Sequence, residues 1–179
     1  DEVFGDLAPE DPPFSEASNY HPSSPYSASK AASDFIIKSS HRTFGFPGIV
    51  TNCSNNFGPG QHTEKLIPTI VNSLIEGHKI PIYGTGQNVR DWLFVDTHVA
   101  YLQAIMASGK PGQSYLIGGD MELTNLELVA RIHRVFNHYH PEKAKAFKDI
   151  YEFVTDRKGH DRRYAIDTTR LKSQFPKVP

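Results

Sequence analysis

The sequence predicts an α/β fold, with helices on the faces of a sheet. Two observations carry this expectation. Segments with helical periodicity alternate with short, β-branched apolar runs along the 179 residues, with no internal repeat. Gly, Pro and capping residues punctuate the transitions between them.

The stretch from Pro9 to Pro25 holds five of the thirteen prolines, mixed with Ser, Glu and Asp, and predicts an exposed loop. Ser24 is an N-cap residue and Pro25 suits a first helical position, where its missing N–H costs nothing. The helix they start runs to about Phe44 and stops at Gly45-Phe46-Pro47-Gly48. Ile49 to Asn52 is a short buried strand. Glu64 to Glu76 is a helix with Leu66, Ile67, Ile70, Val71, Leu74 and Ile75 on one broad face, ending at Gly77. Ile80–Tyr83 and Trp92–Val95 are strands, and Asp96 caps a helix to about Ala107. Ser114–Ile117 is a strand, and Thr124 caps a helix to about Tyr139. A Lys-rich connector at 142–149 leads to a last strand, Tyr151–Thr155.

Chemistry concentrates first at Tyr26-Ser27-Ala28-Ser29-Lys30. Residues four apart share a helix face, so Lys30 holds positive charge on the side of Tyr26, and the helix N-terminus adds more. Both favour phenolate, and a phenolate is a general base. The same spacing also describes an ordinary helix surface, so the surrounding sequence has to decide. No glycine-rich turn stands between a strand and a helix. Gly58-Pro59-Gly60 and Gly84-Thr85-Gly86 lack the third glycine and the flanking elements, and read as loops. The first residues, Asp1-Glu2-Val3-Phe4, read as the end of a buried strand, so the chain is expected to be the latter part of a longer protein, cut at both ends.

Nineteen basic and twenty acidic residues give a net charge of −1, which calls for neither nucleic acid nor a membrane surface. A single cysteine, Cys53, excludes an intrachain disulfide and suits a reducing cytoplasm. It has no partnered His in sequence and is read as structural. His138 and His140 share no helical face, and no metal site is expected.

Asp1-Glu2-Val3-Phe4-Gly5-Asp6, Pro25-Tyr26-Ser27-Ala28-Ser29-Lys30-Ala31, Thr51-Asn52-Cys53-Ser54-Asn55-Asn56-Phe57-Gly58-Pro59, Glu64-Lys65-Leu66-Ile67-Pro68, Tyr83 to Trp92 and Asp156 to Tyr164 occur in that order. Together they resemble the extended short-chain dehydrogenase/reductase family, and within it the branch that dehydrates dTDP-glucose. The resemblance covers essentially the whole chain. It implies that residues 1–56 complete a Rossmann-type NAD-binding domain whose front is absent. Residues 57–179 are then mainly a smaller α/β sugar-nucleotide domain, with about 92–108 returning to the first. It also implies a homodimer, for which Phe35, Ile36 and Ile37 could serve either core or interface.

The implied reaction oxidises carbon 4 of the hexose, which acidifies the hydrogen on carbon 5. Water then leaves from carbon 6, and the stored hydride returns there. The resemblance assigns Tyr26 to the hydroxyl proton, Lys30 to tuning Tyr26 and holding the nicotinamide ribose, Glu2 to the carbon 5 proton and Asp1 to the leaving hydroxyl, with NAD as cofactor. Adjacent carboxylates divide into acid and base when their environments separate their pKa values. The Asp-Glu pair distinguishes this branch from related epimerases and decarboxylases, the alternatives within the family. A non-catalytic nucleotide-sugar-binding fragment is the alternative outside enzymology.

Binding residues implied by the resemblance are Asn56 at the nicotinamide and Asn55, Lys65 and Leu66 along the sugar nucleotide. Pro81, Ile82 and Tyr83 surround the base and its sugar, and Arg90, Asn125, Asp156, Arg157 and His160 surround the diphosphate and nucleoside. A guanidinium fork suits a diphosphate. Lys158 stands where the family generally has Pro, and an alternating charge cluster such as 156–163 is most often a solvated loop.

Overall fold

The computed structural model describes residues 2–156 and 161–178. Helix α1 (Pro25–Phe44) begins as expected. Ser24 and Ser27 form a reciprocal capping box, and the helix ends at Gly45, whose φ of 68° is the left-handed conformation a helix stop favours. Strands β1 (Val50–Cys53) and β5 (Ser114–Ile117) pair in parallel, Val50 opposite Ser114. Strands β3 (Ile80–Tyr83) and β7 (Tyr151–Val154) form a second parallel pair. Helix α4 (Asn125–Tyr139) opens on a capping box between Thr124 and Glu127.

Other elements differ from expectation for local reasons. Helix α2 (Leu66–Glu76) starts two residues late, with Lys65 at its N-cap and no side-chain capping bond. Its Ile70 and Leu74 are buried, but Ile75 is about half exposed, so the buried face is narrower than the apolar one. Strand β4 (Val89–Phe94) starts three residues early because both its edges are paired near Val89 and Arg90. Helix α3 (Val95–Ser108) takes Phe94 as its N-cap and leaves Asp96 in its first turn. Four short elements were unforeseen: β2 (Asn55–Phe57), β6 (Glu122–Thr124), β8 (Arg163–Tyr164) and α5 (Thr169–Gln174). The first three are runs of two or three residues that exist only as partners of β4. In that third sheet β2 and β8 run parallel to β4 and β6 runs antiparallel.

The Lys-rich connector folds into two 3-10 turns, Pro141–Lys143 and Phe147–Asp149. Its lysines act at the C-terminus of α2, where Lys143 Nζ donates to the Ile75 carbonyl and Lys145 Nζ to that of Gly77, both at 3.1 Å. Cations at that end oppose the helix dipole.

Three apolar clusters form the core. One joins α2, β3, β4 and α4 through Ile70, Ile80, Ile82, Trp92, Leu123 and Val129. The second gathers Val3, Phe4, Leu7 and Phe14 with Ala31, Leu116, Tyr164 and Ile166. The third packs α3 and α5 on β5 through Tyr101, Ile105, Tyr115, Ile117, Leu171 and Phe175. Asp91 is 1% exposed, and its carboxylate accepts the backbone N–H groups of Gly119 (2.8 Å) and Met121 (2.7 Å), locking the loop between β5 and β6 to β4. Among the described residues no helix is long and apolar enough to cross a membrane.

Candidate active site

The start of α1 sets the position of Tyr26. Ser24 Oγ accepts the Ser27 N–H and Ser27 Oγ accepts the Ser24 N–H, each at 3.1 Å, with no acidic residue in the first turn. The partial positive charge of the helix end is therefore not offset by a local carboxylate. Tyr26 is 62% exposed, and Lys30, half-buried, lies one turn further along the same face. The helix is tied to its surroundings by Asp34, one turn beyond Lys30. Its Oδ2 accepts from Tyr20 Oη and from Asn52 Nδ2 on β1, both at 2.9 Å, and Lys38 Nζ donates to the same phenol at 3.1 Å.

Glu2 is half-buried with φ 48°, a left-handed conformation that costs a non-glycine residue about 1–3 kcal/mol. Its neighbour Val3 is fixed by the core and by the His21 N–H donating to its carbonyl at 3.0 Å. Tyr164, which the sequence left in a charged loop, proves to be a neighbour of Glu2. Burial first, and then the nearby Cys53 and Glu2, push the Tyr164 phenol well above its ordinary range, while a backbone hydrogen bond from Glu2 opposes the rise. Burial and the Asp34 hydrogen bond raise Tyr20 in the same sense. Both phenols thus keep their protons to a higher pH folded than unfolded. Their contribution to stability is complete below about pH 10 and is lost as pH rises beyond it. The expected result is a lower urea midpoint at about pH 11 than at about pH 9, with the loss reduced in Tyr20→Phe.

On β1 and in the segment that follows it lie buried oxygens with no hydrogen-bond partner in the protein. Asn52 Oδ1, Ser54 Oγ, Asn56 Oδ1 and Gln61 Oε1 have no hydrogen-bond partner. The amide nitrogens of the same region are engaged: Asn56 Nδ2 donates to the Ser54 carbonyl (3.2 Å) and Gln61 Nε2 to the Asn56 carbonyl (2.8 Å). Buried polar atoms normally find partners, so these oxygens are open to donors from water or a ligand. Asn55 beside them is exposed.

The expected diphosphate anchor, Arg90, is 6% exposed on β4. Its Nη1 donates to the Val89 carbonyl and its Nη2 to the Asp161 carbonyl, both at 2.8 Å. Asn125 opens α4 next to it, its N–H donating to the Asn88 carbonyl at 3.1 Å. Tyr83 and Asp156 come together at the ends of β3 and β7, where a Cβ on Gly84 would stand 2.6 Å from Asp156 Oδ2. Pro81 and Tyr83 are half-buried, whereas Ile82 is 1% exposed in the core and has no side-chain surface to offer a ligand. Lys65 is exposed at the head of α2, and Leu66 packs partly against the core. Asp1, Arg157 and His160 lie outside the described residues. Two charges of the 156–163 cluster prove less solvated than expected, while Asp156 and Arg162 are exposed. Asp161 is buried, and Arg163 forms a bidentate pair with Glu122 at 2.7 and 3.0 Å. Among the described residues no group of His, Cys, Asp and Glu has the geometry to hold a metal.

A family model described as GDP-mannose 4,6 dehydratase matches residues 1–176. A dTDP-glucose 4,6-dehydratase of Haemophilus influenzae is 49% identical over 178 residues, 98% of this chain and 53% of its own length. The crystal structure of dTDP-glucose 4,6-dehydratase from Bacillus anthracis in complex with NAD superposes with a TM-score of 0.90 at 44% identity, over 99% of this chain and 54% of that one. That of a dTDP-glucose 4,6-dehydratase from Streptomyces venezuelae, with NAD and TYD bound, gives 0.87 at 39% identity, over 99% of this chain and 51% of that one. The chain spans about half the length of the curated relatives it matches.

Proposed function

The chain belongs to the GDP-mannose 4,6 dehydratase family, and on that premise we propose that it carries the catalytic part of an NAD-dependent dTDP-glucose 4,6-dehydratase. The observation that carries this reading is Tyr26 standing exposed in the capped first turn of α1, with Lys30 one turn on. Tyr26 acts as the phenolate, the form that Lys30 and the helix end favour, and becomes the neutral phenol as it takes the proton of the 4-hydroxyl. Glu2 removes the carbon 5 proton once carbon 4 is a ketone, and Asp1 protonates the hydroxyl leaving carbon 6. NAD, when bound, supplies the acceptor for the carbon 4 hydride and the source of the hydride returned to carbon 6.

The residues present fit the nicotinamide end of that cofactor. Asn56 Oδ1 and Ser54 Oγ are buried acceptors lacking donors, which a carboxamide provides, and they lie past the carboxyl ends of parallel strands. Arg90 and Asn125 serve the diphosphate, with Asn55, Lys65, Leu66, Pro81, Tyr83, Asp156, Arg157 and His160 along the nucleotide and the Ile82 backbone between its neighbours. The division into a cofactor domain at 1–56 and a mainly sugar-nucleotide domain at 57–179, with about 92–108 returning to the first, is supported by the apolar cluster that α2, β3 and α4 share. A homodimer is supported by α1, which buries only Ser27 and Ala31 while Phe35 and Ile36 are more than half exposed; Ile37 packs inward near Gly48. A cytoplasmic site of action is in keeping with a sequence that carries a single cysteine, Cys53.

The test is mass spectrometry of dTDP-glucose incubated with NAD and the intact protein that contains this chain. A product lighter by one water is expected. A protein that binds both ligands and releases no such product would overturn the reading.

A further inference from the structure

Three side chains, two of them buried, converge on one residue that no part of the reaction uses. The Asp161 carbonyl accepts from Arg90 Nη2 at 2.8 Å and from Asn88 Nδ2 at 3.1 Å, a two-donor clamp from alternate residues at the start of β4. The Asp161 carboxylate accepts from Ser23 Oγ at 2.9 Å. Ser23 immediately precedes Ser24, the N-cap that sets the first turn of α1 and with it Tyr26. Asp161, Arg90 and Asn88 are all less than a tenth exposed, where hydrogen bonds are least diluted by water.

We infer that Asp161 is a positioning residue that couples the diphosphate anchor Arg90 to the catalytic turn of α1. This rests on the nucleotide-binding reading above. An anion engaging the Arg90 guanidinium changes how that group holds the Asp161 carbonyl. The 161 backbone carries its carboxylate along, and Ser23 passes the constraint to the cap. Filling the nucleotide site thereby orders the base that acts on the sugar. The two halves of the link are chemically separate. Removing the Asp161 side chain leaves the carbonyl clamp, and hence the fold around β4, in place.

The experiment is hydrogen exchange on the intact protein with and without dTDP, read in peptides covering residues 86–92 and 22–30. In the wild type dTDP is expected to slow exchange in both, by about fivefold or more at 22–30, the lower end of ordinary coupling between sites. In Asp161→Ala and Ser23→Ala protection persists at 86–92 and is lost at 22–30, while Asp161→Asn, which keeps an acceptor for the Ser23 hydroxyl, retains both. Protection at 22–30 that survives in the two alanine variants, or that is absent from a wild type protected at 86–92, overturns the coupling. Absence of protection at 86–92 in the wild type overturns the nucleotide reading and this inference with it.

Discussion

Replacing Tyr26 by Phe is expected to lower turnover by about three orders of magnitude while leaving dTDP affinity within about twofold, because general-base catalysis supplies about 10²–10⁴ in rate. The argument depends on where the oxygen sits. Tyr26 is 62% exposed, so loss of its hydroxyl opens no cavity and orphans no buried partner. The Ser24–Ser27 capping box does not involve its side chain, so α1 starts at the same residue. Only chemistry is removed. Measuring kcat alongside the calorimetric dTDP affinity checks this, and turnover within about tenfold of the wild type would sink the assignment of Tyr26 as base.

The largest expected effect on stability is elsewhere. Gly119→Ala should cost at least about 3 kcal/mol, the upper range for overpacking. A Cβ at this position would lie inside contact distance of the Trp92 carbonyl oxygen, 2.5 Å from its carbonyl carbon and 2.9 Å from Leu93 Cα. All three are backbone atoms of the central strand, which no rotamer change can move. Retreat of the loop is blocked too, because the Asp91 carboxylate holds the Gly119 and Met121 N–H groups. Gly60→Ala is the control. Nothing lies within 4 Å there, and only its φ of 81° resists the change, at about 1 kcal/mol. Urea unfolding of the two variants should separate them clearly, and equal midpoints would refute the steric account.

What the sequence made legible follows from which forces are local. Helix starts at Ser24 and Thr124 were readable because a cap is a bond between residues three apart. Strands β3 and β5 were readable as apolar runs bounded by breakers. Strands β2, β6 and β8 were not, since Asn55-Asn56-Phe57, Glu122-Leu123-Thr124 and Arg163-Tyr164 have no pattern of their own and are strands only because β4 pairs with them. The site divides in the same way. Tyr26 and Lys30 are joined by helix periodicity, whereas Tyr164 meets Glu2, and Asp161 meets Ser23, only through tertiary contacts that no spacing encodes. Composition misled at Asp161 and Arg163. Their charges looked solvated, yet Asp161 is buried and Arg163 is bound to Glu122.

The parallel pairing of β1 with β5 and of β3 with β7 also bears on how the chain reaches this state. Parallel neighbours cannot be joined by a tight turn, and here each pair encloses several helices and strands of intervening chain. Each closure spends loop entropy before any ladder bond repays it, which places the transition state late in assembly and makes folding slow relative to helix formation. During that interval α1 and α4 can form from their own caps, while the apolar strands wait with unpaired edges. Refolding at high protein concentration therefore sets intramolecular strand pairing against association between chains, and yield should fall as concentration rises.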